Sequence, residues 1–368
     1  MNYESYMRTL LFMRTLICML LLMLLPPMAF AQTVTNVTAR QVGNTVEVTY
    51  SLDQTASVSL LLSADGGRTY NLHPKSVTGD IGSVTAGNNK KAVWNLLADS
   101  TDWDIAQARF KVVAQKVAAQ RTFTVGGVSF TMVRVDGGTF TMGCTAKQDE
   151  VCRDSDTPSH QVTVTTYYIG QTEVTQKLWK TVMGTSVKQM AKGSIVDYKI
   201  YGTGDNYPMY YLSWHDCREF VGKLNLLLSQ HLGKMFFSLP TEAQWEFAAR
   251  GGNKSQHYKY SGSNYIDKVA WCHANSGNTT HPVASKSPNE LGLYDMSGNV
   301  CEWCLDKSGK YSHDSQINPE GESSTDCRNA RGGCIGSLDS QCCVWYRFGF
   351  LPEYRRSSFG LRLVLLQP

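Results

Sequence analysis

The residues with the most chemistry to offer lie close to the C-terminus, in RGGCIGSLDSQCCVWYRFGFLPEYRRSSFGLRLVL, positions 331–365. Cys334, Cys342 and Cys343 stand there among a run of aromatics and the arginines Arg347, Arg355, Arg356 and Arg362. Thiols at this density admit thiolate nucleophilic or redox chemistry, coordination of a soft metal, or disulfide closure. The other side chains admit recognition, because Trp345, Tyr346, Phe348, Phe350, Tyr354, Arg355 and Arg356 are of the types that dominate binding hot spots. Register and redox compartment decide among these options.

The compartment is read from the N-terminus. Arg8 and Arg14 precede the apolar core LICMLLLMLLPPM, and small residues at Ala29 and Ala31 place a cleavage site after Ala31, so residues 1–31 form a signal peptide. A membrane anchor is the alternative, but the apolar run 16–25 is shorter than the roughly 20 residues that span a bilayer. The mature chain is therefore expected to be exported, to a periplasm, the cell surface or the medium, with no transmembrane anchor. Of the 11 cysteines, Cys18 leaves with the signal and the other ten enter an oxidising compartment, where disulfides are the default expectation. All ten lie beyond residue 140, so the segment before them must hold itself together by packing alone. A net charge of +4 spread over 368 residues argues against a nucleic-acid partner.

These side chains need a scaffold, and the chain offers two. Residues 32–117 alternate apolar and polar positions in TVEVTYSL, SVSLLL, KAVWNL and ARFKVVAQ, with turn-formers between, which predicts a small antiparallel β-sandwich. Within it SADGGRTY, 63–70, resembles the Asp-box hairpin of sialidases and related β-proteins, a folding turn without catalytic meaning. The Gly pair in KVAAQRTFTVGG predicts a linker over 118–127. Residues 128–368 then form a second, loop-rich domain with two helical patterns. Phe220, Leu224 and Leu227 space one of them in SWHDCREFVGKLNLLLSQHL. LPTEAQWEFAARGG carries the other, with Thr241 as cap and Gly251 as stop.

The second domain carries a fixed order of short signatures: MVRVDGGTFTMG, HQVTVTTYYIGQTEVTQKLW, YPMYYLSWHDC, LPTEAQWEFAARGG, NELGLYDMSGNVCEWC and the C-terminal stretch. Together they resemble the formylglycine-generating, sulfatase-modifying factor family over about residues 125–365. The resemblance implies an α+β, loop-rich domain of the C-type-lectin-like kind behind the all-β sandwich. It also implies a copper- and oxygen-dependent oxidase that converts a sulfatase cysteine to formylglycine, using Cu(I) on two cysteines at the fourth and ninth positions after the Gly-Gly pair. Counted from Gly333, those places hold Ser337 and Cys342. A serine hydroxyl is hard and neutral and does not replace a thiolate on Cu(I). Cys334 comes three residues early, and reaches the site only if the loop after Gly333 folds back; Cys343 comes one late, which in a strand turns a side chain to the other face.

The same resemblance implies a calcium loop in YDMSGNVCEW, with side-chain oxygens from Asp295 and Glu302 and backbone carbonyls from Gly298 and Val300, a hard donor set suited to that ion. A second family site reaches this chain only through Asn275. Relatives carrying cysteines at the Cys304 and Cys342 positions imply a bridge between these two, and Cys144 and Cys152 bracket a short polar loop that a local disulfide can close. The frame RGG…C…R…P..R….GLRLVL also resembles the scaffold that carries variable residues in C-type-lectin-like proteins of diversity-generating retroelements. Three readings follow: a binding or display module for a protein, peptide or cell-surface ligand, a formylglycine-generating oxidase, and a structural component of a cell-surface or secretion assembly. The register of the cysteines favours the first.

Overall fold

The computed structural model describes residues 34–99, 107–145, 152–194, 198–321 and 325–367. The segment 1–31, expected to be a signal peptide, lies outside the described residues. The chain divides into two compact units, Met1–Val117 and Ala118–Pro368.

In the first unit, the alternating runs become strands of two antiparallel sheets. One orders Val34–Val42, Thr45–Leu52, Gly87–Asn95 and Val77–Gly79; the other orders Gly82–Val84, Ala56–Ser63 and Arg109–Lys116. Their inward positions, among them Val48, Tyr50, Leu60, Leu62, Ala92 and Trp94, close a single apolar cluster, as period-two alternation requires. Asp65 ties its turn internally: Oδ1 accepts from the amides of Arg68 and Thr69, each at 2.9 Å, and Oδ2 from the Thr69 hydroxyl at 2.7 Å. It is a folding device, as its motif predicts.

The expected linker does not exist as such. Gln120–Val125 is a strand, paired antiparallel with Val128–Val135, and its Phe123 is buried. Gly126 and Gly127 are the two central residues of this hairpin, with φ of 53° and 78°; both left-handed values suit the two-residue turn that matches strand twist. The glycines thus mark a turn inside the second unit.

That unit is mixed α and β. A five-stranded sheet orders Phe236–Ser238, Val364–Leu366, Tyr167–Gly170, Val128–Val135 and Gln120–Val125. A four-stranded sheet orders Arg347–Phe350, Arg328–Arg331, Cys301–Lys307 and Phe359–Gly360, and a three-stranded one joins Gly138–Met142, His160–Val164 and Gln316–Ile317. Two main helices pack on them. Trp214–Leu232 begins with a capping box between Ser213 and Asp216, and buries Phe220, Leu224 and Leu228; Leu227 points outward, one position off the predicted face. Glu242–Ala249 begins at the Thr241 capping box with Gln244 and is buried along its whole length.

A fully buried helix cannot leave its carboxylates unpaired. Glu242 accepts from Arg331 Nε at 2.8 Å and Arg347 Nε at 2.6 Å, and Glu246 accepts from Arg331 Nη2 at 2.7 Å. Arg250 closes the group through Glu246 Oε1 at 2.8 Å. These arginines fasten the C-terminal stretch to the helix, and none shows in the sequence as a structural residue.

Candidate functional site

The strand Cys301–Lys307 pairs with Arg328–Arg331, Glu302 opposite Arg331 and Trp303 opposite Ala330. Where that ladder ends, the Gly298 amide donates to Gly332 O at 2.8 Å and the Ile335 amide to Asn299 O at 3.0 Å, so the two segments stay side by side. The chain after Gly333 then folds back in a tight turn. The Ser337 amide donates to Cys334 O at 2.9 Å, the Cys334 amide to Ser337 Oγ at 3.0 Å, and Cys334 Sγ lies 3.4 Å from Ser337 Oγ. The cysteine that stands three residues early is thereby carried to within 3.4 Å of the side chain at the expected thiolate position. A four-residue turn brings its first and last residues together, which is the signal the linear count passes over.

Cys342 approaches from the other side, so close to Gly333 that a Cβ there would lie 2.8 Å from its sulfur. Asp339–Cys342 is a 3₁₀ turn, not a strand, so the alternation argument fails and both Cys342 and Cys343 are buried. Burial pushes the Cys342 thiol well up, with the neighbouring Cys272, Cys334 and Cys343 adding to it. Cys334 behaves oppositely. Its thiol is low, at about 6, because the Cys301 thiol, the Ser337 and Ser358 hydroxyls and the Gly336 amide all favour its anion over the opposing effect of burial. Cys301 is raised by the same interaction with Cys334 and by burial.

The expected bridge between Cys304 and Cys342 does not form: both are free and buried. Cys304 sits among Asp306, Glu242, Arg331 and Glu302, while the neighbours of Cys342 are other cysteines and Asp339. Cys144 and Cys152 are joined, with their Cα atoms 5.7 Å apart.

Asp295 and Glu302 of the expected calcium loop lie together in a buried acidic cluster. Glu302 is wholly buried and bound by Arg362, whose Nη2 donates to Oε1 at 2.7 Å, and by Trp245 Nε1, which donates to Oε2 at 2.6 Å. Asp295 Oδ2 accepts from the Ala284 amide at 2.7 Å, and burial pushes its carboxyl up to about 6. Glu173, which the sequence does not signal, is a third member: it accepts from Asn299 Nδ2 at 2.8 Å and from the Val300 amide at 3.1 Å. Burial, then Asp295 and Glu302, raise it well above the carboxylate range. Against these three carboxyls stands Arg362, so the cluster carries a surplus of negative charge that protons or a divalent cation can neutralise. Among the described residues no three His, Cys, Asp or Glu side chains converge as ligands, and the expected set uses only two, with two carbonyls. Asn275 is committed elsewhere: its Oδ1 accepts from the Cys272 amide at 2.9 Å and its Nδ2 donates to Asp267 at 2.9 Å.

The expected binding surface divides. Trp345 is 3% exposed and belongs to the core, and Arg355 is held by both oxygens of Asp216 at 2.7 Å. Tyr346, half-buried, lies under the Arg153 guanidinium, 3.3 Å from its ring centroid. Phe348 and Phe350 stack with centroids 6.1 Å apart, and exposed Arg356 lies over the rings of Phe350 and Tyr354.

Residues 121–366 match the sulfatase-modifying factor enzyme 1-like domain. The chain belongs to this family. Chaperone protein LppX of Paenibacillus barcinonensis is 31% identical over 258 residues, which is 58% of this chain and 81% of its own length. The formylglycine-generating enzyme of Streptomyces coelicolor is 26% identical over 293 residues, 62% of this chain and 87% of the enzyme. Treponema denticola variable protein 1 superposes with a TM-score of 0.59 at 31% identity, covering 68% of this chain and all, 100%, of that structure. The family fold is thus that of the second unit, and the β-sandwich precedes it in the sequence.

Proposed function

We propose that residues 118–368 act, in an exported protein, as a non-catalytic binding or display domain. The observation that carries this reading is Ser337, which is 4% exposed and stands where the family resemblance calls for the first copper thiolate. Its hydroxyl is not a ligand for Cu(I), and Cys342 at the second position is sealed against Gly333 with its thiol held protonated by burial. The two positions do not fit the copper centre. What the domain presents outward is Phe348, Phe350, Tyr354 and Arg356, half-buried rings beneath an exposed guanidinium, which suit a protein, peptide or cell-surface ligand. The likeness to Treponema denticola variable protein 1 supports a scaffold reading.

One observation favours the oxidase as a second reading: the turn sets the Cys334 sulfur 3.4 Å from Ser337 Oγ. The test uses the purified chain with Cu(I), dioxygen and a peptide carrying a Cys-x-Pro-x-Arg core. No aldehyde is expected by mass spectrometry; aldehyde that disappears in Cys342→Ala overturns the display reading.

Calcium is part of the proposal. Asp295 and Glu302, with the carbonyls of Gly298 and Val300, are the residues that would hold it, and the third buried carboxyl beside them, Glu173, is the observation that favours a cation there. When bound, the ion supplies positive charge that stabilises the loop. Calcium is expected to raise the midpoint of thermal unfolding, and Asp295→Ala to abolish the rise. An unchanged midpoint in saturating calcium refutes the site.

A further inference from the structure

Arg218, Arg328 and Arg356 take no part in the buried clamps, yet each lies against an aromatic ring and none has a carboxylate partner among the described residues. We propose that the face they share with Trp214, Phe350 and Tyr354 binds an extended acidic segment of a protein partner, its Asp and Glu carboxylates on the guanidiniums and its apolar side chains on the rings. The proposal rests on the display reading, with which it shares Phe350, Tyr354 and Arg356, and names the class of ligand.

Helix, sheet and loop each supply part of the face. Trp214 opens the helix Trp214–Leu232; its amide donates to Pro352 O at 2.9 Å and its indole Nε1 to Cys304 O at 2.9 Å, so both backbone and side chain fix the ring. Arg328 Cζ lies 4.0 Å from that ring's centroid, and Nη1 donates to Leu305 O at 2.8 Å. One helical turn on from Trp214, Arg218 brings its Cζ to 5.6 Å from the same centroid. Arg328 stands opposite Phe350 in the antiparallel ladder, and directly opposed residues project to one face of a sheet. Arg356 Cζ is in turn 5.0 Å from the Phe350 centroid and 5.5 Å from that of Tyr354. Guanidinium and ring thus alternate from Arg218 to Tyr354.

Charge then selects the ligand. A guanidinium laid on a ring uses its flat face and leaves its N–H edge for acceptors, in the fork that takes a carboxylate bidentately. Apart from the Arg328 bond to Leu305, the side-chain N–H groups of these three arginines make no hydrogen bond among the described residues. Acids on the same helix and loop are engaged elsewhere: Asp216 with Arg355 at 2.7 Å, Glu219 with Lys223 at 2.8 Å, and Glu353 with His215 at 4.0 Å. Asp306 is the acid that acts on Arg328, and burial, then the Glu242 charge, push its own carboxyl up to about 8. Burial lowers the Arg328 guanidinium from its ordinary value, and the Arg218 charge adds to the lowering against Asp306, as two cations on one ring should. Single guanidiniums separated by rings match carboxylates separated by apolar side chains, which a peptide supplies. A polymer with a charge on every unit sets charge against the rings instead.

The test follows the fluorescence anisotropy of three labelled probes titrated with the purified chain: a peptide of alternating Glu-Leu and Asp-Tyr pairs, the same peptide with Gln for Glu and Asn for Asp, and a heparin oligosaccharide. The acidic peptide is expected to bind about tenfold or more tighter than its amide counterpart, and to weaken as salt is raised. Arg218→Ala and Arg356→Ala, at exposed positions, are each expected to keep the wild-type melting temperature and to weaken the acidic peptide about tenfold. The proposal is overturned if the acidic peptide does not bind, if the two peptides bind equally, if heparin binds more tightly than the acidic peptide, or if both folded variants bind it as wild type does. Equal binding of the two peptides leaves the display reading standing, because the rings still hold a ligand. That reading fails instead on aldehyde from a Cys-x-Pro-x-Arg peptide, which these cysteine-free probes do not report. The comparison of the two peptides on wild type decides the matter even if a variant does not fold.

Discussion

Trp345 and Arg356 belong to one aromatic and arginine-rich stretch and carry opposite consequences. Trp345 fills the core, so Trp345→Ala is expected to cost about 3–5 kcal/mol in urea unfolding. Arg356 is exposed, and Arg356→Ala is expected to change stability by less than about 0.5 kcal/mol while weakening any ligand the outer rings hold. Residue type alone does not separate the two, because an aromatic suits a core and a surface equally. The cysteines were legible in number but only partly in role. Cys144 and Cys152 are close in sequence and close in space, whereas Cys334 reaches the side chain of Ser337 only through a turn, information that no linear count holds. Glu173 was missed for the same reason: it reaches Asn299 across 126 positions.

At the scale of elements, the helix Glu242–Ala249 shows how much of the fold can be read directly. Its cap, its length and its stop at Gly251 follow from Thr241, Gln244 and the glycine. Its burial does not, since the arginines that permit it lie far away, Arg331 at a separation of 89. Arg331→Met leaves Glu242 and Glu246 short of a partner inside the protein, and a loss of about 3–5 kcal/mol is expected by denaturant titration. Asp306 gives this element a pH signature. Burial first, then the Glu242 charge, push its carboxyl up to about 8, while Oδ2 accepts from the Glu242 amide at 2.6 Å. The folded state holds this proton more tightly than the unfolded chain, so its contribution is full below about pH 4 and is lost as pH rises toward 8. Asp306→Asn keeps an acceptor and removes the charge. Its melting temperature is expected to fall less than that of wild type between pH 5 and pH 9; equal falls refute the assignment.

At the scale of the whole molecule, the first unit has no cysteine beyond Cys18 and the second has the other ten. Calorimetry is therefore expected to resolve two transitions, of which only one moves on adding reductant, and Cys152→Ser is expected to lower that one by about 2–3 kcal/mol. The two-part organisation was legible because alternation gives way to a glycine- and tryptophan-rich texture. The end of the sandwich at 117 coincides with the end of the first unit, whereas the start of the second domain was drawn too late because the Gly126–Gly127 pair serves a hairpin and not a tether. The buried arginines have a last implication. Arg347 and Arg362 clamp the C-terminal stretch to Glu242 and Glu302, and between them Arg355 is tied to Asp216 and the carbonyls of Pro352 and Arg356 accept from the Trp214 and Tyr211 amides, so residues 348–358 are pinned at the middle as well as at both ends. Such a segment is a cassette: its outward letters can be rewritten in a combinatorial library while the clamps keep the ends in register, which makes the domain a ready frame for selecting new binders.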